Sequence, residues 1–188
     1  MRLIETTLAG VVLIEPKVFG DERGHFFECY RQDLFAEMGI RSVFVQDNQS
    51  RSRRGVLRGL HYQLGRPQAK LVRALSGEIF DVAVDVRRGS PTFGRWVGAR
   101  LSEENRRMMY VPEGFAHGFM VLSDAAEIHY KCTDLYAPKE ERGLLWSDPT
   151  LSVEWPTAEG LELVLSAKDV ALPTLDMALP ADLPLYGA

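Results

Sequence analysis

Residues 78–87 read EIFDVAVDVR (Glu78 to Arg87), and this run decides the fold class. Phe80, Val82, Val84 and Val86 alternate with Asp81, Ala83 and Asp85. A period of two belongs to a β-strand, here one with a single buried apolar face. Just before it, KLVRAL (Lys70 to Leu75) reads as a second strand. Ser76-Gly77 between them is a turn signal, so the two are expected to pair as a hairpin.

Outward from this pair, short strand candidates recur, separated by turn residues. They are Gly10 to Glu15, His25 to Tyr30, Arg41 to Gln46, Leu57 to Gln63, Trp96 to Leu101, Arg107 to Val111, Gly118 to Leu122 and Ala126 to Cys132. Helical pattern is sparse: Gln32 to Met38, closed by Gly39, with further pieces expected near Ser102 to Asn105 and in the C-terminal segment. Many short strands with few helices predict an all-β sandwich or barrel. The 188 residues suit one domain spanning 1–188, with 170–188 irregular.

The formal net charge is -4, so no global basic field invites nucleic acid or an acidic membrane surface. Cys29 and Cys132 lie far apart without a CxxC pair, which predicts reduced thiols and not a disulfide framework. The opening MRLIETTLAG has no apolar run of leader or membrane-spanning length, so the expected location is the cytoplasm.

Two segments resemble the paired motifs of the cupin barrels, GVLRGLHYQ (Gly55 to Gln63) and PEGFAH (Pro112 to His117). Metal-binding cupins carry a second histidine where Gln63 stands and a nearby glutamate where Gly65, Arg66 and Pro67 fall. At most two imidazoles of a four-ligand set remain, too few for an ordinary transition-metal site, so no metal is expected. His61 and His117 have an ordinary structural role open to them. However, His61 shares its neighbourhood with Arg58, Tyr62, Gln63 and Lys70, and crowding such groups in a barrel mouth is costly unless they do chemistry or bind charge.

The full set of motifs resembles the dTDP-4-dehydrorhamnose 3,5-epimerase family. The matching runs include FGDERGHFFE (Phe19 to Glu28), QDNQSRSRRGVLRGLHYQ (Gln46 to Gln63), the stretch from Lys70 to Gly94, VPEGFAHGFMVLSD (Val111 to Asp124), YKCTDLY (Tyr130 to Tyr136), LLWSDP (Leu144 to Pro149) and LSAKD (Leu165 to Asp169). Each is weak alone, and their shared order is specific. The resemblance implies a cupin-type jelly roll, a homodimer, a dTDP-linked 4-keto-6-deoxyhexose substrate and inversion of both carbons beside the ketone without a cofactor.

A ketone acidifies the C–H bonds beside it. Inversion therefore needs a base on one face, an acid on the other and a donor for the enolate oxygen. The resemblance implies His61 as base, paired with Asp169 of the SAKD run, since histidine is the natural base near neutral pH and a carboxylate fixes its tautomer. It implies Lys70 at the enolate oxygen and Tyr130 as acid, a phenol that stays protonated at rest. His117 is expected to line the same cavity. For the nucleotide end it implies Arg58 and Arg23 on the diphosphate, Phe26 and Tyr136 beside the thymine, and Glu28 and Gln46 at its polar edge, with Asn48 and Lys168 nearby. Arg23 sits in the segment that, in the family, crosses the dimer into the partner's site. The basic run Arg51 to Arg54 is expected to be a solvated loop.

Three rival functions fit parts of the chain. A single-centre epimerase of a dTDP-4-keto-deoxysugar shares the His, Asp and Lys set, and Tyr130 favours the two-centre enzyme over it. A metal cupin lacks its ligands at Gln63 and after His117. A non-catalytic sugar-nucleotide-binding barrel would leave His61, Lys70 and Tyr130 idle.

Overall fold

The computed structural model describes residues 1–158 and 160–187. Two antiparallel sheets face each other in the expected jelly roll. In chain order the elements are β1 (Arg2–Glu5), β2 (Val12–Glu15), β3 (Phe19–Asp21), β4 (Gly24–Phe26), α1 (Gln32–Glu37), β5 (Gln46–Arg53), β6 (Leu57–Gln63) and β7 (Lys70–Ser76). They continue as β8 (Glu78–Asp85), β9 (Trp96–Ser102), β10 (Met108–Val111), β11 (Phe115–Val121), β12 (Ala125–Cys132), β13 (Glu141–Gly143) and α2 (Ala167–Val170). One sheet runs β1-β2-β10-β7-β12-β5, the other β13-β6-β11-β8-β9, and β3 and β4 form a separate small hairpin. Among the described residues no helix is long and apolar enough to cross a membrane.

The expected β7–β8 hairpin does not form. β7 pairs with β10 and β12, whereas β8 pairs with β9 and β11 in the opposite sheet. Ser76-Gly77 is a corner between layers, with Gly77 at a φ of +68° that favours glycine.

The reading of β8 with one buried face is also corrected, because both of its faces are buried. Ile79 and Ala83 point between the sheets, into a core with Val72, Met109, Val111 and Ile128. Val82, Val84 and Val86 point the other way, under Leu151, Trp155, Leu175 and Leu183 of the C-terminal segment. Covering that outer apolar face is what the C-terminal segment does, through irregular backbone and two short 3-10 turns at Leu175–Met177 and Pro180–Asp182. The polar side of β8, including Asp81, therefore lines the barrel interior.

Two further expectations fail at one place. Residues 41–45 are not a strand, and the polar run after them is. β5 reads QDNQSRSR, with Gln46, Asn48, Ser50 and Ser52 turned inward and Asp47, Gln49, Arg51 and Arg53 exposed at the sheet edge. Arg51 and Arg53 thus belong to a strand that pairs with β12, not to a loop. Of the run His25 to Tyr30 only His25 and Phe26 are strand, Ser102 ends β9 and 103–105 form a turn, and β1, β3 and β13 have no counterpart in the sequence reading.

Candidate active site

The cavity lies where the two sheets face each other. His61 on β6 and His117 on β11 are direct cross-strand partners, so both side chains share the inner face of one sheet. Lys70 on β7 and Tyr130 on β12 share the inner face of the other, since Lys70 opposes Cys132 two residues along from Tyr130. The open cavity measures about 560 Å³, and Arg58, His61, Lys70, His117, Tyr130 and Asp169 all line it. An adjoining recess of about 280 Å³ shares His61, Lys70 and Tyr130 and adds Gln46, Asn48, Tyr136 and Glu141.

His61 Nε2 lies 2.7 Å from Asp169 Oδ1, close enough for an ion pair but off the line of a straight hydrogen bond. Asp169 arrives on α2, whose N-cap is Ser166. The Ser166 hydroxyl donates to Asp169 Oδ2 at 2.7 Å, and its oxygen accepts the Asp169 amide at 3.1 Å. Burial lowers the His61 pKa below its ordinary value, and the Asp169 charge only partly offsets that. Burial therefore favours the neutral imidazole. With Nε2 turned to Asp169, Nδ1 is the nitrogen left to take a proton.

Lys70 is 9% exposed and lines the cavity. Burial lowers its pKa, opposed by Cys132, Glu141 and Asp81. A buried cation is costly, and an arriving anion would offset that cost. Burial likewise raises the Tyr130 pKa, so its phenol keeps its proton. His61 and Tyr130 thus stand on opposite walls, with Lys70 in the same cavity.

A second His–Asp pair lies deeper. His117 Nε2 and Asp81 Oδ1 are 2.7 Å apart in a well-aligned hydrogen bond, with Asp81 fully buried and its Oδ2 unpartnered. At the recess, Glu141 joins Tyr136 and Lys168, accepting the Tyr136 hydroxyl at 2.7 Å and pairing with Lys168 Nζ at 2.5 Å. Gln46 accepts the Tyr136 amide at 2.8 Å and donates to Asn48 at 3.0 Å. Arg58 donates to Ser52 at 3.0 Å. Among the described residues no three His, Cys, Asp or Glu side chains group closely enough to share a metal ion.

Arg23, Phe26 and Glu28 do not line this cavity. Arg23 pairs with Asp21 at 2.5 Å on the β3–β4 hairpin, Phe26 is 67% exposed, and Glu28 pairs with Arg31 at 3.3 Å. Sequence reasoning missed Asp81, Glu141 and Ser166. Asp81 was hidden by reading its side of β8 as solvated. Ser166 had a usable signal, because S-x-x-D before a short helix is a capping pattern. Glu141 had none, because it lies in a charged run, KEER, that reads as surface.

The family model for dTDP-4-dehydrorhamnose 3,5-epimerase matches residues 5–177. The enzyme of that name from Pseudomonas aeruginosa is 58% identical, over 90% of this chain and 93% of its own. That from Salmonella typhimurium is 55% identical, over 95% of this chain and 98% of its own. The dTDP-6-deoxy-D-glucose-3,5-epimerase of Legionella pneumophila, solved in complex with dTDP-4-keto-L-rhamnose, superposes with a TM-score of 0.96 at 51% identity, covering 100% of this chain and 99% of that one. The inward motifs of both sheets, the cavity between them and these likenesses together place the chain in the dTDP-4-dehydrorhamnose 3,5-epimerase family.

Proposed function

We propose that the protein inverts C3 and C5 of dTDP-4-dehydro-6-deoxy-D-glucose to give dTDP-4-dehydro-L-rhamnose, by acid/base chemistry through an enolate and without a cofactor. The observation that carries this reading is the placement of His61 with Asp169 on one wall and Tyr130 on the other, with Lys70 in the same cavity. His61 Nδ1 removes the proton beside the ketone, and Asp169 steadies the imidazolium that forms. The Lys70 ammonium meets the oxygen as it becomes negative, an effect worth about 3–4 kcal/mol in comparable sites. Tyr130 returns a proton to the opposite face of the carbon.

Arg58 grips the diphosphate in a guanidinium fork. Tyr136 flanks the thymine, with Gln46 and Asn48 at its polar edge and His117 against the sugar. Arg23, Phe26 and Glu28 serve the partner's cavity in a homodimer. Supporting this, the hairpin leaves Phe19 (53% exposed) and Phe26 (67%) uncovered, and neither lines the cavity of its own chain. The chain works as one domain in the cytoplasm, a setting that suits the free thiols of Cys29 and Cys132.

Proton NMR of the protein with dTDP-4-keto-6-deoxyglucose in deuterated water tests the reading. Deuterium entering at both carbons beside the ketone is the expected result. Exchange at one carbon alone would make the protein a single-centre epimerase, and no exchange with dTDP still bound would leave a binding barrel.

A further inference from the structure

We infer that Ser166 is a positioning residue for the proton-abstracting dyad: its hydroxyl locks the Asp169 carboxylate so that one oxygen always faces His61. This rests on the proposed reaction and deepens it. A serine hydroxyl carries one hydrogen. The Asp169 amide already donates to Ser166 Oγ at 3.1 Å, so that oxygen serves as acceptor there. The carboxylate can only accept, so the single hydroxyl proton must go to Oδ2, 2.7 Å away. With Oδ2 tied, Oδ1 remains for His61 Nε2 at 2.7 Å. His61 then holds its proton on Nε2 and keeps its lone pair on Nδ1.

The lock has little redundancy. Asp169 Oδ1 has no well-aligned hydrogen bond, so its placement depends on the rotation set at Oδ2. α2 has only four residues, too short to hold a side chain by its own rigidity. Other charged groups that bear on His61 are Lys168 on the same turn and Glu141 on β13, which pair with each other. From β11 the ring faces His117, whose nitrogen is engaged by Asp81. None of them bonds Asp169 Oδ2.

The test compares Ser166→Ala, Ser166→Gly and Ser166→Thr in the full-length protein. Glycine is nearly as good an N-cap as serine but has no hydroxyl, and threonine keeps both cap and hydroxyl. Loss of an orienting partner of this kind typically lowers activity about 10–100-fold. Alanine and glycine variants are expected to lose kcat by that factor with dTDP affinity unchanged, and threonine to restore it. The nitrogen shifts of a 15N-labelled His61 supply a reading independent of turnover. The wild type and Ser166→Thr are expected to show the Nε2–H tautomer, and the Ala and Gly variants a mixture.

Wild-type kcat in Ser166→Gly would overturn the inference. So would a loss of kcat with the His61 tautomer unchanged. A wild-type protein that epimerises nothing would sink the proposed reaction, and the tautomer comparison would still judge the lock.

Discussion

The barrel holds two His–Asp pairs at the same Nε2–Oδ1 distance, 2.7 Å, and they are built for different ends. In the His117–Asp81 pair both residues sit on central strands, a hydrogen bond joins them, and the carboxylate is fully buried. The histidine of the other pair is 28% exposed to the cavity, and its carboxylate comes from a four-residue turn outside the sheets. The buried pair suits a fixed polar wall. The open pair suits a base, because a ring that gains and loses a proton must reach the substrate on one side and a charge on the other. Contact distance alone would not have separated them. Exposure, and the element that supplies the carboxylate, do.

The largest expected difference lies in turnover. His61→Asn should lower kcat by about 10³–10⁴-fold, the upper range for loss of a general base, and leave dTDP affinity unchanged. His117→Asn should cost about 10-fold, mostly in KM, as a wall contact would. Steady-state kinetics with dTDP titration reads both, and equal losses would erase the distinction between the pairs.

Next, the two carboxylates should dissociate activity from stability. Asp169→Ala should lower kcat by about 10²–10⁴-fold with little change in urea midpoint. Asp81→Ala strands a buried His117 nitrogen and should cost about 1–3 kcal/mol of stability. A stability loss in Asp169→Ala as large as that of Asp81→Ala would contradict the contrast.

A smaller effect follows from the depressed His61 pKa. Its ordinary value is 6.5, and burial sets the folded value lower. The acid limb of kcat/KM should therefore fall below pH 6.5, and His61→Asn should abolish it. The same shift has a stability sign. Between the folded pKa and 6.5 the unfolded chain binds the proton more readily than the folded one, so folding weakens as pH falls through that window. Chemical denaturation at pH 7.5 and pH 5.5 should show that loss in the wild type and less of it in His61→Asn.

What the sequence made legible follows from physical scale. The all-β class was readable because alternation is local, and strands such as Leu57–Gln63 fell where the pattern put them, whereas the jelly roll followed from the family resemblance. Pairing was not readable: Ser76-Gly77 looks the same whether the chain folds back on its neighbour or crosses to the other layer. The polar strand Gln46–Arg53 escaped because its inner side chains face a cavity, which demands no apolar period. The residues around that cavity, from Arg58 and His61 to Asp169, were named through family motifs, since no local pattern brings a turn near residue 169 against a strand near residue 61. Asp81 was lost because β8 was read with a single buried face, and both of its faces are buried.

The segment from Leu144 to Leu183 has a double employment. Its apolar side chains roof the outer face of the second sheet, and partway along it α2 delivers Asp169 inward. Roof and carboxylate therefore share one length of chain, held largely by irregular backbone. Warming or mild denaturant that loosens the turn at α2 would draw Asp169 away from His61 and disarm the enzyme. Inactivation is then expected to precede melting, which activity and circular dichroism followed along one temperature ramp would read.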